Sequence, residues 1–185
     1  MKRACCLFIL FACVFIPAAS ALDHIEILSG YLEAPLRDED DYRVIPLLAA
    51  FNFEVKSFIE EKINIKIKGD IHLAVEPFLN TVFSPDGNIE IGANFLCKYT
   101  FPFSASIKPY IKGGLGVVYM SQHTREQSTQ YNFLPQAGIG LYRFINPRTA
   151  LSFEYRFRHL SNGSLERPNK GIDADLFLAG ISFFF

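Results

Sequence analysis

His159, Ser161 and Asp173 are side chains of the kind that nucleophilic acyl transfer needs, and they fall close together near the end of the chain. Ser161 supplies a hydroxyl. His159 supplies an imidazole that can take the hydroxyl proton, and Asp173 a carboxylate that can fix the imidazole tautomer and stabilise the imidazolium that forms. They sit in the run Arg158-His159-Leu160-Ser161-Asn162-Gly163-Ser164, followed by Pro168-Asn169 and Gly171-Ile172-Asp173. The same run has a plainer reading. Ser161-Asn162-Gly163 and Pro168-Asn169 are ordinary turn formers, a histidine beside aromatics suits a membrane rim, and Asp173 suits a solvated loop end. Spacing alone permits a triad without requiring one, so the flanking elements must decide.

Those elements read as strands. Ile91, Ala93, Phe95, Cys97, Tyr99 and Phe101 alternate with Glu90, Gly92, Asn94, Leu96, Lys98 and Thr100, a period of two. Similar runs occupy 22–32, 43–55, 64–79, 88–101, 107–121, 131–144, 149–160 and 173–185. Short connections are expected at 56–63, 102–106 and 145–148. Longer polar loops are expected at 33–42, 80–87, 122–130 and 161–172. Eight such strands suffice to close a small barrel.

A soluble barrel around an apolar ligand and an outer-membrane barrel with its apolar face outward both fit eight strands. The run from Thr149 separates them. One face carries Leu151, Phe153, Tyr155 and Phe157, and the other Ser152, Glu154, Arg156 and Arg158. Three charges on one face suit a polar lumen with paired ions, and the aromatic face suits lipid. Nineteen Phe and eight Tyr supply an apolar band and its interfacial girdles, and the chain closes on Phe183-Phe184-Phe185. The expectation is all-β: an eight-stranded antiparallel transmembrane β-barrel of the outer membrane, spanning residues 22–185.

Residues 1–21 read as a secretory signal, with Lys2 and Arg3, an apolar stretch from Leu7 to Ile16, and small residues at Ala19-Ser20-Ala21. A lipoprotein signal ahead of Cys13 is the lesser reading, because Phe11 is bulky for it. Cys5, Cys6 and Cys13 would leave with the signal, so Cys97 would remain without an intramolecular partner. After the signal there is no apolar run of about 20 residues, which excludes a helical span. A formal charge of -1 on 185 residues argues against nucleic acid as a partner.

An even strand count puts both termini on the periplasmic side and the 161–172 loop outside. His159 and Ser161 share the parity of Leu151 and Phe157, and Asp173 and Asp175 that of Phe177 and Ile181, so all four point towards lipid at the outer rim. Pairing His159 with Asp173 puts Ser161 opposite Gly171, and the imidazole between hydroxyl and carboxylate.

The run His159-Leu160-Ser161-Asn162, with Pro168-Asn169 and Gly171-Ile172-Asp173, resembles the lipid A 3-O-deacylase family of PagL type. Pro109-Tyr110-Ile111-Lys112-Gly113-Gly114-Leu115-Gly116, Asn132-Phe133 and Gly138-Ile139-Gly140 also look like strands of that family. The resemblance implies an eight-stranded outer-membrane barrel in a Gram-negative bacterium, with a serine esterase site facing lipid. Carried over by motif, His159 is the base, Ser161 the nucleophile and Asp173 the third member, where the family usually has glutamate. Asn162 matches an asparagine proposed to help bind the oxyanion, and the Ser164 N–H is a second donor of that kind. The implied substrate is lipid A of lipopolysaccharide in the outer leaflet, cut at its 3-O-linked acyl ester without metal or cofactor. A homodimer is left open. Two alternatives stand beside this reading: a non-enzymatic barrel with a structural or adhesive role, and a hydrolase directed at phospholipid.

Three other groupings have weaker claims. The acidic run at 37–41 reads as a solvated loop, His72 with Asp70 and Glu76 as lumen hydrogen bonding rather than a metal site, and His123 with Ser128 as a coincidence of loop composition.

Overall fold

The structure, a computed structural model, describes residues 21–36, 40–121 and 128–185. Residues 1–20 of the expected signal, with Cys5, Cys6 and Cys13, lie outside the described residues, as do 37–39 of the acidic run and His123. The described residues form eight strands: β1 (Leu22–Ala34), β2 (Tyr42–Glu54), β3 (Asp70–Ser84), β4 (Asn88–Thr100), β5 (Ile107–Met120), β6 (Tyr131–Asn146), β7 (Thr149–Leu160) and β8 (Ile172–Phe184). Each pairs with the next, and β1 pairs antiparallel with β8 to close the barrel. Closure leaves no open sheet edge, which is what lets strands cross a bilayer with every backbone group satisfied. None of the described helices is long and apolar enough to cross a membrane.

The period of two becomes inside and outside. On β7, Ala150, Ser152, Glu154, Arg156 and Arg158 are buried in the lumen, while Leu151, Phe153, Tyr155 and Phe157 are exposed on the outer wall. The lumen is filled in layers. Leu32, Tyr42, Val44, Val82, Met120 and Leu160 pack at the end remote from the chain termini. Tyr110, Tyr142 and Ala150, with Phe144 and Phe184, close the end that carries the termini. Between them lies an ion network. Glu76 pairs with Lys112 and Arg156 at 2.8 Å each, Glu154 pairs with Lys112 at 2.7 Å and with Arg156, and Glu26 pairs with Lys98. Glu90 holds Arg158 at 2.9 Å and accepts from Tyr42 at 2.6 Å and Asn80 at 2.7 Å. A buried charge survives away from water only when paired and hydrogen-bonded in this way.

Two connections differ from the sequence expectation. The segment expected as a turn at 56–63 is a helix, α1 (Lys56–Ile63). Lys and Glu are good helix formers. The Ser57 N–H donates to Glu54 Oε1 at 2.9 Å, Lys62 lies in the last turn, and Asn64 ends the helix in the left-handed region at φ 53°. No residue of α1 is buried, so no apolar periodicity announces it. Accordingly β3 begins at Asp70 rather than at 64. At its other end β3 runs on to Ser84, so the loop expected at 80–87 shrinks to 85–87. Its continuation is a ladder with β4 that extends to Val82↔Asn88.

Candidate active site

The antiparallel ladder of β7 and β8 runs unbroken from Thr149↔Phe183 to Leu160↔Ile172 and puts His159 opposite Asp173. Directly opposed residues on one face of such a pair are neighbours. His159 Nδ1 and Asp173 Oδ1 stand 2.5 Å apart, both on the outer wall, with 38% and 65% of their side chains exposed. In neutral histidine this contact puts the Nδ1 proton on the carboxylate side and leaves the Nε2 lone pair free, the tautomer a general base needs.

Beyond Leu160 the chain leaves β8. Gly171, at φ +75°, turns out of the ladder, so the expected Ser161–Gly171 pairing does not form. Ser161 instead bridges to Phe133 of β6. Phe133 N–H donates to the Ser161 carbonyl at 2.8 Å, and Ser161 N–H donates to the Phe133 carbonyl at 3.1 Å. This bridge extends the alternation by two residues. Leu160 and Asn162 are buried, and His159 and Ser161 keep the partly exposed outer side. Among the described residues no hydrogen bond links Ser161 Oγ to the imidazole, so the site has its base and orienting carboxylate in contact and its hydroxyl on the same face. Such hydroxyl–base bonds are often open before substrate binds.

Asn162 is fully buried. Its Nδ2 donates to the Glu166 carbonyl at 3.0 Å and to Ser128 Oγ at 3.5 Å, and its backbone N–H donates to Asn169 Oδ1 at 3.0 Å. The side chain therefore ties the 161–171 loop together from inside the barrel and does not face the outer wall with Ser161. The next two residues, Gly163 at φ 64° and Ser164 at φ 63°, form a tight turn closed by Leu165 N–H on the Asn162 carbonyl at 3.3 Å. Two successive left-handed residues define a type I′ turn. Among the described residues the N–H groups of Gly163 and Ser164 make no hydrogen bond. Two free N–H groups immediately after Ser161 are donors of the kind that can receive an oxyanion.

Sequence reasoning missed three contributors. Phe133, on the neighbouring strand β6, fixes the Ser161 main chain, and Asn169 clamps the residue after it. Gly171 also lies against His159: a β-carbon there would stand 2.6 Å from His159 Cε1. The turn residues signalled the loop, but none of these contacts has a local signature. Asp175 is not idle on the outer wall either, because it accepts the Tyr155 hydroxyl at 2.6 Å. Of the weaker groupings, Glu76 joins the lumen network, His72 turns to Asp23, and Ser128 joins the loop through Asn162 and through its own N–H on the Pro168 carbonyl at 3.0 Å.

A family model described as lipid A 3-O-deacylase (PagL) matches residues 50–182. The crystal structure of the outer membrane enzyme PagL superposes with a TM-score of 0.64 at 18% identity, covering 88% of this chain and 99% of that one. The crystal structure of Neisserial surface protein A (NspA) superposes with a TM-score of 0.68 at 12% identity, covering 91% and 100%. At these identities the two structures speak for the fold. No curated protein matches the chain in sequence.

Proposed function

Since the chain belongs to the lipid A 3-O-deacylase (PagL) family, we propose that it is a serine esterase that removes the 3-O-linked acyl chain of lipid A, with Ser161 as nucleophile, His159 as base and Asp173 as the carboxylate that orients it. Its setting is the outer membrane, as a barrel of lipid A deacylase type. The observation that carries the reading is the 2.5 Å contact between His159 Nδ1 and Asp173 Oδ1 on the lipid-facing wall, with Ser161 on the same face. Residues 1–21 serve as the export signal in this account.

The acyl esters of lipid A lie just below its sugar headgroups, so a rim serine facing lipid meets an ester without drawing the molecule out of the leaflet. The Ser161 hydroxyl attacks the ester carbonyl while His159 Nε2 takes its proton, and Asp173 steadies the imidazolium through Nδ1–H. The oxyanion is received by the N–H groups of Gly163 and Ser164 in the turn that follows Ser161. Collapse breaks the bond to the sugar oxygen, which leaves with the proton from His159, and Ser161 holds the acyl group as an ester. Water then gives a proton to His159 and adds to that ester. The second collapse releases the fatty acid and returns the proton to Ser161. Asp173 in place of glutamate is shorter by one methylene, yet it reaches the imidazole because β7 and β8 set the two residues directly opposite.

Expressing the protein in a Gram-negative host whose lipid A carries a 3-O-linked acyl chain tests the reading. Mass spectrometry of the extracted lipid A should reveal loss of that one chain. Unmodified lipid A, despite folded barrel in the outer membrane, would reject it in favour of a barrel without this activity. Loss of acyl chains from phospholipid alone would move the hydrolase to another substrate.

A further inference from the structure

At the end of the barrel opposite His159, a second group of polar side chains converges that the proposed reaction does not use. Asp23 and His24 open β1, and His72 lies near the start of β3, with β2 between them. Asp23 Oδ2 stands 2.7 Å from His24 Nδ1 and 3.1 Å from His72 Nε2. The imidazoles meet edge to face, with ring centroids 4.9 Å apart, and one ligand atom from each of the three residues lies within 4.8 Å of the others. Both histidines are buried, while Asp23 keeps 37% of its side chain exposed at the mouth.

We propose that Asp23, His24 and His72 bind one divalent transition-metal ion of the Zn2+ type.

The first reason is the surroundings of His24. Its Nδ1 faces the Asp23 carboxylate. Its Nε2 lies 3.1 Å from the Tyr142 hydroxyl and 3.5 Å from Glu26 Oε1. Tyr142 directs its own proton to Glu26 at 3.0 Å, so towards His24 it too is an acceptor. In the tautomer that carries its proton on Nε2, His24 gives that N–H to the Tyr142 and Glu26 side and turns the Nδ1 lone pair to Asp23, the arrangement of a metal-bound histidine. The second reason is His72, a buried imidazole whose only partner is the same Asp23 oxygen and whose Nδ1 has none among the described residues. One carboxylate oxygen and two buried imidazoles thus converge on one point, where an ion shared among them would find three ligand atoms.

The chemistry of the donors fits. Two imidazole nitrogens and one carboxylate oxygen are N/O ligands of the kind Zn2+ takes, with a fourth position open to water. Metal bonds of about 2.0–2.2 Å in a tetrahedron set ligand atoms about 3.3–3.5 Å apart. Against that spacing the 2.7 Å contact opens by about 0.6–0.8 Å and the 3.1 Å contact by about 0.2–0.4 Å, while the ligand atoms, now within 4.8 Å of one another, draw in around the ion. Glu26 and Tyr142 then accept the Nε2 proton of His24 and orient the ring, as outer partners of metal-bound histidines do. His24 also stacks on Phe184 at 4.5 Å, beside the β1–β8 seam. The ion would fasten β1 to β3 across the lumen mouth and act on the barrel rather than on the ester.

The protein purified from membranes in detergent and stripped by chelator should take up about one Zn2+ per chain by calorimetry, and Co2+ should give the visible absorption of a tetrahedral site. Asp23→Asn and His72→Gln, each verified as folded by heat-modifiable gel mobility, should lower the affinity at least about tenfold. His159→Ala should leave it unchanged. Absence of saturable uptake by the parent protein would overturn the site. Parental affinity in either folded variant would overturn it as well.

Discussion

Gly171 stands against the imidazole of His159, so closely that a β-carbon at this position would fall 2.6 Å from Cε1 and 3.2 Å from Nε2. Its φ of +75° is one that glycine adopts without strain and other residues rarely do. Gly171→Ala therefore strains the turn and pushes the ring away from Asp173. Deacylation should fall about 10- to 100-fold, the scale of a misplaced catalytic group, while the barrel remains folded by gel mobility. A parental rate in Gly171→Ala would mean that the ring position seen here does not matter.

His159 and Ser161 should act as a unit. Ser161→Ala and His159→Ala are each expected to lower the rate by several orders of magnitude, and the double variant should be little worse, because groups serving one proton transfer are not additive. Single-turnover kinetics on the three variants checks this. Multiplying losses would separate the two residues mechanistically.

Asp173 and Asp175 share the outer wall and differ in partner. Asp173 contacts the imidazole, whereas Asp175 takes the Tyr155 hydroxyl at 2.6 Å. Asp173→Ala should cost roughly 100-fold or more, since an unoriented imidazole still acts as a base but a poor one. Asp173→Glu should retain substantial activity, and Asp175→Ala should change the rate only a few-fold. Rates for the three variants measured side by side decide it. A large loss confined to Asp175→Ala would contradict the pairing across β7 and β8.

The lumen network makes a prediction about stability alone. Arg156 is fully buried between Glu76 and Glu154. Arg156→Met leaves two carboxylates with Lys112 as their common partner, and breaking a buried pair from one side costs about 3–5 kcal/mol. The urea midpoint of unfolding in detergent should drop accordingly. An unchanged midpoint would mean that the network contributes little to holding the strands.

Much of this was legible in the sequence because a strand has a strict period of two. Parity alone put His159 and Ser161 on the lipid side and Arg156 and Glu154 inside, and the β7–β8 register followed from pairing one histidine with one aspartate. What parity could not reach was structure without a repeat or contacts made by closure. Helix α1 has no buried residue to mark it. The bridge from Ser161 to Phe133 carries the β6–β7 register past the last residue of β7, and the inward turn of Asn162 depends on that bridge. His72 reads from its own strand as a neighbour of Asp70 and Glu76. Only the closed barrel sets it beside Asp23 and His24.

The central claim is that Ser161 forms and releases an acyl ester with lipid A as donor. Purified parent protein and Ser161→Ala, both folded in detergent micelles with lipopolysaccharide, should be compared by mass spectrometry of lipid A over time. The account predicts loss of the single 3-O-linked acyl chain with the parent and no detectable loss with Ser161→Ala. Equal deacylation by both proteins, or intact lipid A with the parent, would contradict it.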